Sequence, residues 1–193
     1  MDIELTPISP LMVEHRLIER MVQVVSNALN NINEINLMNI EFINQSIDFA
    51  KTYTHRCHHG KEEEILFKIL AFKKMLPEHK KLMDDLVLEH IHGMKIIYGL
   101  EEAKEAYLKG QKNFLKDVIA NFKKWVEFYL NHIQKEEKTF FQPAMEYFSK
   151  HEQEEMLKKF WEFDQYLIHE KYIKMIEGFE GEKDRGTVGK PYL

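Results

Sequence analysis

The stretch Cys57–Phe67, CHHGKEEEILF, has a twin at His132–Phe141, HIQKEEKTFF. Both follow the pattern His-x-x-Lys-Glu-Glu with apolar residues after it. A unit so rich in charge enters a core only if one helical face turns inward. On a helix a residue and its i+4 neighbour stand about 40° apart around the axis. His58/Glu62 and His132/Glu136 therefore each offer an imidazole and a carboxylate from adjacent turns of one face. That pair suits a first-row transition metal, with the carboxylate free to bridge to a second ion. Each twin follows a lone Glu-His pair at nearly the same distance: Glu14-His15 before His58, and Glu89-His90 before His132. The unit His … His-x3-Glu thus occurs twice. His15, His58, Glu62, His90, His132 and Glu136 make a candidate ligand set for two metal ions.

Read in order, the chain is a series of amphipathic helices. Ser9-Pro10 has the chemistry of a helix start. Leu11, His15, Ile18, Val22, Val25 and Leu29 then form one apolar stripe that contains a histidine. The Asn-rich stretch Asn30–Asn36 is the expected first turn. A second helix carries Ile47, Thr54, His58, Glu62, Ile65 and Ile69 on one face. Pro77 opens a third, aligning Leu86, His90, Gly93 and Ile97. Gly110 ends it, and a fourth aligns Phe122, Trp125, Tyr129, His132, Glu136 and Phe140. Ser149-x-x-Glu152 is a capping box that starts a fifth helix. The expected fold is all-α: an up-down-up-down four-helix bundle over 10–148, an additional C-terminal helix over 149–178, and a flexible tail over 179–193. The midpoint of His90 and His132 falls beside Gly110, and that of His58 and His90 just before Pro77. The midpoint of His15 and His58 falls at the edge of the Asn-rich stretch. Antiparallel helices that hold their histidines at one level require turns at those places.

A lone histidine on an apolar stripe is more often a satisfied core residue than a ligand. Here four stripes each carry one, and two add a glutamate. Burying two uncompensated carboxylates costs several kcal/mol each, and an unpaired imidazole about 1–3 kcal/mol more. Metal offsets both. Register is the open choice, because His59/Glu63 shares the i+4 spacing. The twin has Ile133 where the first copy has His59, and His59 aligns with Asp48, Thr52, His55 and Glu63, a stripe of solvated character. His58/Glu62 is therefore the expected inward pair and His59 the outward neighbour. His15-x3-Glu19 repeats the spacing, but His90 has Met94 at the matching place, so Glu19 reads as a supporting or surface charge. His92, His79 and His151 read as surface residues, and His169 as a structural residue among Trp161, Tyr166 and Tyr172. Cys57 reads as a packed thiol. The runs Lys61-Glu63-Glu64 and Lys135-Glu137-Lys138 read as solvated faces with i,i+3 and i,i+4 pairing.

Composition excludes other classes. With 8 Gly, 5 Pro and 31% charged residues, the chain is poor in sheet and turn signals. The net charge of −5 is spread over interspersed acids and bases, with no basic stripe for nucleic acid. No apolar run approaches a membrane span, and MDIELTPISP lacks the basic-then-apolar order of a signal peptide. Cys57 is the only cysteine, so no internal disulfide forms. A reducing cytoplasm is the expected location.

In EHRLIERM, CHHGKEEEILF, EHIHGM, NHIQKEEKTFFQPAMEYF and FWEFDQYLIHEKY the chain resembles the hemerythrin-like, HHE cation-binding family. The resemblance implies a four-helix bundle around a non-heme di-iron centre over residues 1–178. By matching position it makes His15, His58, His90 and His132 terminal ligands, with Glu62 and Glu136 bridging. Iron is the implied metal, with manganese and zinc the alternatives. The oxygen-carrying hemerythrins have His-x3-His on the third helix, where this chain has His90 and Met94. They also use an aspartate where this chain offers Glu136. One histidine fewer implies more open positions on an iron, as in prokaryotic HHE proteins and iron-centre repair proteins. The implied functions are binding of oxygen or nitric oxide for sensing, storage or scavenging, or, as the alternative, an enzyme that reduces nitric oxide or peroxide or donates iron to damaged centres. A bundle merely tied by zinc is disfavoured, since six ligands exceed what one tetrahedral ion needs.

Overall fold

The stripe from Leu11 to Leu29 makes α1 (Ile8–Asn30) one wall of the interior, and all six of its members are buried. The structure, a computed structural model, describes residues 5–30, 40–111, 115–164 and 168–181. Among the described residues every regular element is helical. Beyond Asn30 the expected Asn-rich turn lies outside the described residues. The second ligand-bearing run opens as α2 (Ile40–Asp48), becomes π-helical over Phe49–His59 and Glu62–Phe67, and closes as α3 (Lys68–Leu70). α4 (Pro77–Leu108) begins with Pro77 in its first turn, where the missing N–H costs nothing. It stops at Lys109, after which Gly110 takes φ 85°, the left-handed conformation glycine adopts freely. α5 (Leu115–Lys135) continues through a π-helical stretch, Glu136–Phe140, into α6 (Phe141–Met145).

Two apolar clusters fill the interior. One gathers Val22, Phe49, Tyr53, Ile97, Phe122, Trp125 and Tyr129, and the other Leu11, Leu66, Phe67, Leu86, Phe140 and Phe141. On each of the four histidine-bearing helices the chain passes from one cluster to the other at the level of its histidine. His15 lies between Leu11 and Ile18, His58 between Tyr53 and Leu66, His90 between Leu86 and Ile97, and His132 between Tyr129 and Phe140. The polar groups therefore form one layer with apolar packing on both sides.

The single helix expected over 149–178 is two. α7 (Lys150–Phe163) starts with the predicted capping box, Ser149 Oγ accepting from Glu152 N–H and Glu152 accepting from Ser149 N–H at 2.9 Å. It ends at Asp164, and α8 (Ile168–Glu180) follows. The break lets each helix bury its own stripe. Met156 and Phe160 of α7 join one cluster, while Tyr172 and Ile176 of α8 join the other. α8 also continues past Gly178: the Phe179 ring packs edge-on against Phe42, and Arg20 donates to both oxygens of Glu180 at 3.1 and 2.7 Å. The helix thus runs into the range expected for the tail, of which residues 182–193 lie outside the described residues.

Candidate metal centre

The six residues singled out by the repeat are all buried, none more than 2% exposed, and they meet in that polar layer. Ligand atoms of His15, His58, Glu62 and Glu136 lie within 4.8 Å of one another. Those of His59, His90 and His132 do the same. The two glutamates span both groups. Glu62 places Oε1 3.6 Å from His58 Nε2 and Oε2 3.4 Å from His90 Nε2. Glu136 places Oε2 3.1 Å from His15 Nε2, and Oε1 3.3 Å from His132 Nε2 and 3.6 Å from His90 Nε2.

His59 is a correction to the sequence reading. It was expected outward, on the stripe of Asp48, Thr52, His55 and Glu63, yet it is 1% exposed and its ring stacks on His90 at 3.8 Å and 6°. The expectation assumed a single line of ligands, so that one step of about 100° would carry a side chain out of the site. The interior here is two groups wide, and consecutive residues reach different groups: His58 the first, His59 the second. The π-helical hydrogen bonding through Phe49–His59 also departs from the regular α-helical step.

The charged runs are corrected in part: Glu64 and Lys138 are exposed as expected. Glu63 and Glu137, however, join Glu14 and Glu89 in a closed ring of carboxylate–imidazole hydrogen bonds, each linking one histidine-bearing helix to the next. His58 Nδ1–H donates to Glu14 at 2.9 Å, and His90 Nδ1–H to Glu63 at 2.6 Å. His132 Nδ1–H donates to Glu89 at 2.9 Å, and His15 Nδ1–H to Glu137 at 2.9 Å. Outside that ring, Lys61 donates to Glu14, Lys135 to Glu89 and Arg16 to Glu137. Lys61, expected on a solvated face, is fully buried. The signal was in the repeat: Glu14 and Glu89 directly precede the upstream histidines, and Glu63 and Glu137 directly follow the central glutamates. One position along a helix turns such a carboxylate toward the neighbouring helix.

The ring leaves the Nε2 atoms of His15, His58, His90 and His132 facing inward without a hydrogen bond. Both nitrogens of His59 and all four oxygens of Glu62 and Glu136 are likewise buried without one. Ten unsatisfied donor atoms in one layer are untenable for a core, since each carries a desolvation cost of about 1–3 kcal/mol or more. They are the donors a transition metal takes. Two donors about 2.1 Å from one ion and at right angles stand about 3.0 Å apart, close to the 3.1–3.6 Å separations observed. Carboxylates on the far ring nitrogens fix the tautomer that frees each Nε2 lone pair. The residues fit metal cations.

Without cations, protons balance the charge. Burial, then the charges of Glu136 and Glu14, push Glu62 well above the usual carboxylate range. Burial acts the same way on Glu136, but His132, His15 and His90 overcome it and hold it well below. Burial lowers His15, but the carboxylates of Glu136 and Glu137 outweigh it and raise His15 to about 9. Burial dominates at His58, which falls to about 4.

The model of the hemerythrin HHE cation-binding domain matches residues 6–144. The chain belongs to the hemerythrin HHE family. No curated protein and no solved structure matches it. The hemerythrin domain so delimited holds the whole polar layer and the carboxylate ring, while α7 and α8 lie outside the matched residues. Within the hemerythrin domain Met94 is a buried core residue, and His59 supplies a fifth inward histidine on the preceding ligand-bearing helix. Other histidines stay outside the layer. His92 is exposed beside Phe128, and His79 bonds the Tyr147 hydroxyl at 2.7 Å. Glu19 pairs with Arg16 at 2.7 Å on the surface. Cys57 is a buried thiol donating to Asp164 at 3.3 Å, and burial pushes its pKa up. Tyr166 lies outside the described residues.

Proposed function

We propose that this hemerythrin-family chain holds a non-heme di-iron pair and binds a diatomic ligand, oxygen or nitric oxide, at it. The observation that carries the reading is that each central glutamate directs one oxygen to each histidine group. His15 and His58 would hold one ion, and His59, His90 and His132 the other, with Glu62 and Glu136 shared. When bound, two ferrous ions supply one-electron chemistry and an open coordination position. His59 makes the groups unequal, so the His15/His58 side, with one imidazole fewer, keeps more room for a ligand. The same reading makes the four ligand-bearing helices an up-down-up-down bundle, supported by the turns at Ala71–Leu76 and Lys109–Gln111.

The side chains around the layer select the ligand. Phe141 stacks against His15 at 5.5 Å and Phe67 against His90 at 6.0 Å, with Tyr129 6.2 Å from His59 on the other side. With every ligand residue at most 2% exposed, charged or bulky molecules are excluded, and a small uncharged gas can enter through side-chain motion. No helix among the described residues is long and apolar enough to cross a membrane. The test is anaerobic reconstitution with ferrous iron. The expected result is two irons per chain and a new near-ultraviolet and visible absorption on adding oxygen or nitric oxide. One iron per chain, or a spectrum unmoved by either gas, overturns the reading.

A further inference from the structure

The carboxylate ring has two lysine-backed arms of the same chemistry, Lys61–Glu14–His58 and Lys135–Glu89–His132. Their surroundings differ. Side chains of Lys135 and Glu89 are 37% and 25% exposed, so water screens them. Those of Lys61 and Glu14 are 0% and 2% exposed. What covers them comes from outside the matched domain. The last turn of α7 seats Phe163 against Gly60, where an added Cβ would stand 2.9 Å from the ring. The next residue, Asp164, takes Lys61 with both oxygens at 2.7 Å. Asp164 also accepts from Cys57 and stands 3.5 Å from His169, which bonds the Tyr53 hydroxyl at 2.9 Å.

We propose that Asp164, delivered by the C-terminal helices, is a positioning residue that sets the strength of the metal position at His15 and His58 and leaves the other position alone. The proposal rests on the two-metal reading above. Lys61 divides its charge between Asp164 and Glu14, so Glu14 keeps the negative character that draws on the His58 Nδ1–H. A carboxylate on that nitrogen makes the opposite nitrogen a better metal donor. Without the Asp164 charge, Lys61 acts on Glu14 alone. The pull on His58 slackens and its Nε2 becomes a poorer ligand. In the second, partly exposed arm, solvent plays the part of Asp164.

The experiment titrates metal-free full-length protein with cobalt(II) under exclusion of oxygen, read by calorimetry and by the cobalt absorption bands. Wild type is expected to show two binding steps. Asp164→Asn, nearly isosteric, weakens one step about tenfold, the lower end of what supporting residues of metal ligands usually contribute, and leaves the other unchanged. Asp164→Glu restores it. Adding Asp164→Asn to His58→Ala produces no further loss, which assigns the affected step. Gly60→Ala, which pushes Phe163 and hence the end of α7 outward, gives the same selective loss without altering a charge. Lys80→Met, in an exposed pair with Asp84 away from the layer, changes neither step. Two unaltered steps in Asp164→Asn, or equal weakening of both with a lowered melting temperature, overturn the proposal. A single step in wild type instead overturns the two-metal reading itself.

Discussion

His59 is the one inward histidine with no carboxylate on either ring nitrogen, and its counterpart in the second repeat is Ile133. Ring contacts hold it instead: it stacks on His90 and meets His55, His58, Tyr129 and His132. His59→Ala should therefore cost metal at the His90/His132 position: after dialysis against a chelator the variant should retain about half the wild-type iron, and a full complement would show His59 to be a packing residue. His15 contributes a pH dependence to the metal-free protein. Its folded pKa of about 9 lies above the ordinary histidine value of 6.5. A raised folded pKa stabilises fully below the unfolded value, and that contribution is lost as pH rises through the folded one. The metal-free protein should thus lose thermal stability between pH 6.5 and 9.5, which melts across that range would show. On the proposed reading His15 Nε2 would give up its proton to metal, so this loss should vanish on loading.

At the scale of elements, close approach and end contacts decide the packing. α4 meets α5 at Gly93, where an added Cβ would stand 2.8 Å from the Phe128 ring, itself stacked on His132 at 5.4 Å. Gly93→Ala should cost about 1–3 kcal/mol by overpacking, seen as a lowered denaturation midpoint. α8 is held at its end by Arg20–Glu180 and by Phe179 on Phe42. The ion pair is partly exposed and adds about 0.2–1 kcal/mol. With the lost ring contact, truncation after Glu177 should lower the melting temperature by about 3–6 °C, at about 2–4 °C per kcal/mol for a chain of this size. Iron content should stay at the wild-type level; a loss of iron would show that α8 supports the ligand layer directly.

For the whole molecule, the polar layer divides the core into two apolar clusters, and its ten unpartnered atoms make it the weak plane of the metal-free fold. Cations that bind only the folded state add stability by mass action, about 2.7 kcal/mol at a free concentration a hundred times the dissociation constant. For a chain of this size that corresponds to about 5–11 °C. Calorimetric melts with and without ferrous iron should show that rise. An unchanged melting temperature would mean that the layer is satisfied without metal.

The period of the apolar stripes and the two His-x3-Glu units determine by themselves that the chain is helical and that His15, His58, Glu62, His90, His132 and Glu136 face inward. Both follow from the angular step of a single helix, a local property. Which charged neighbours of those residues also turn inward is not local. Glu63 and Lys61 share a run that reads as solvated, yet one reaches His90 across the layer and the other is enclosed by Asp164 from α7. His59 enters because the layer is two groups wide, a width set by how the helices pack around it. The break of the C-terminal helix at Asp164 has the same origin: only the folded core presents a buried lysine for that carboxylate to meet, and an unpaired charge there would cost several kcal/mol.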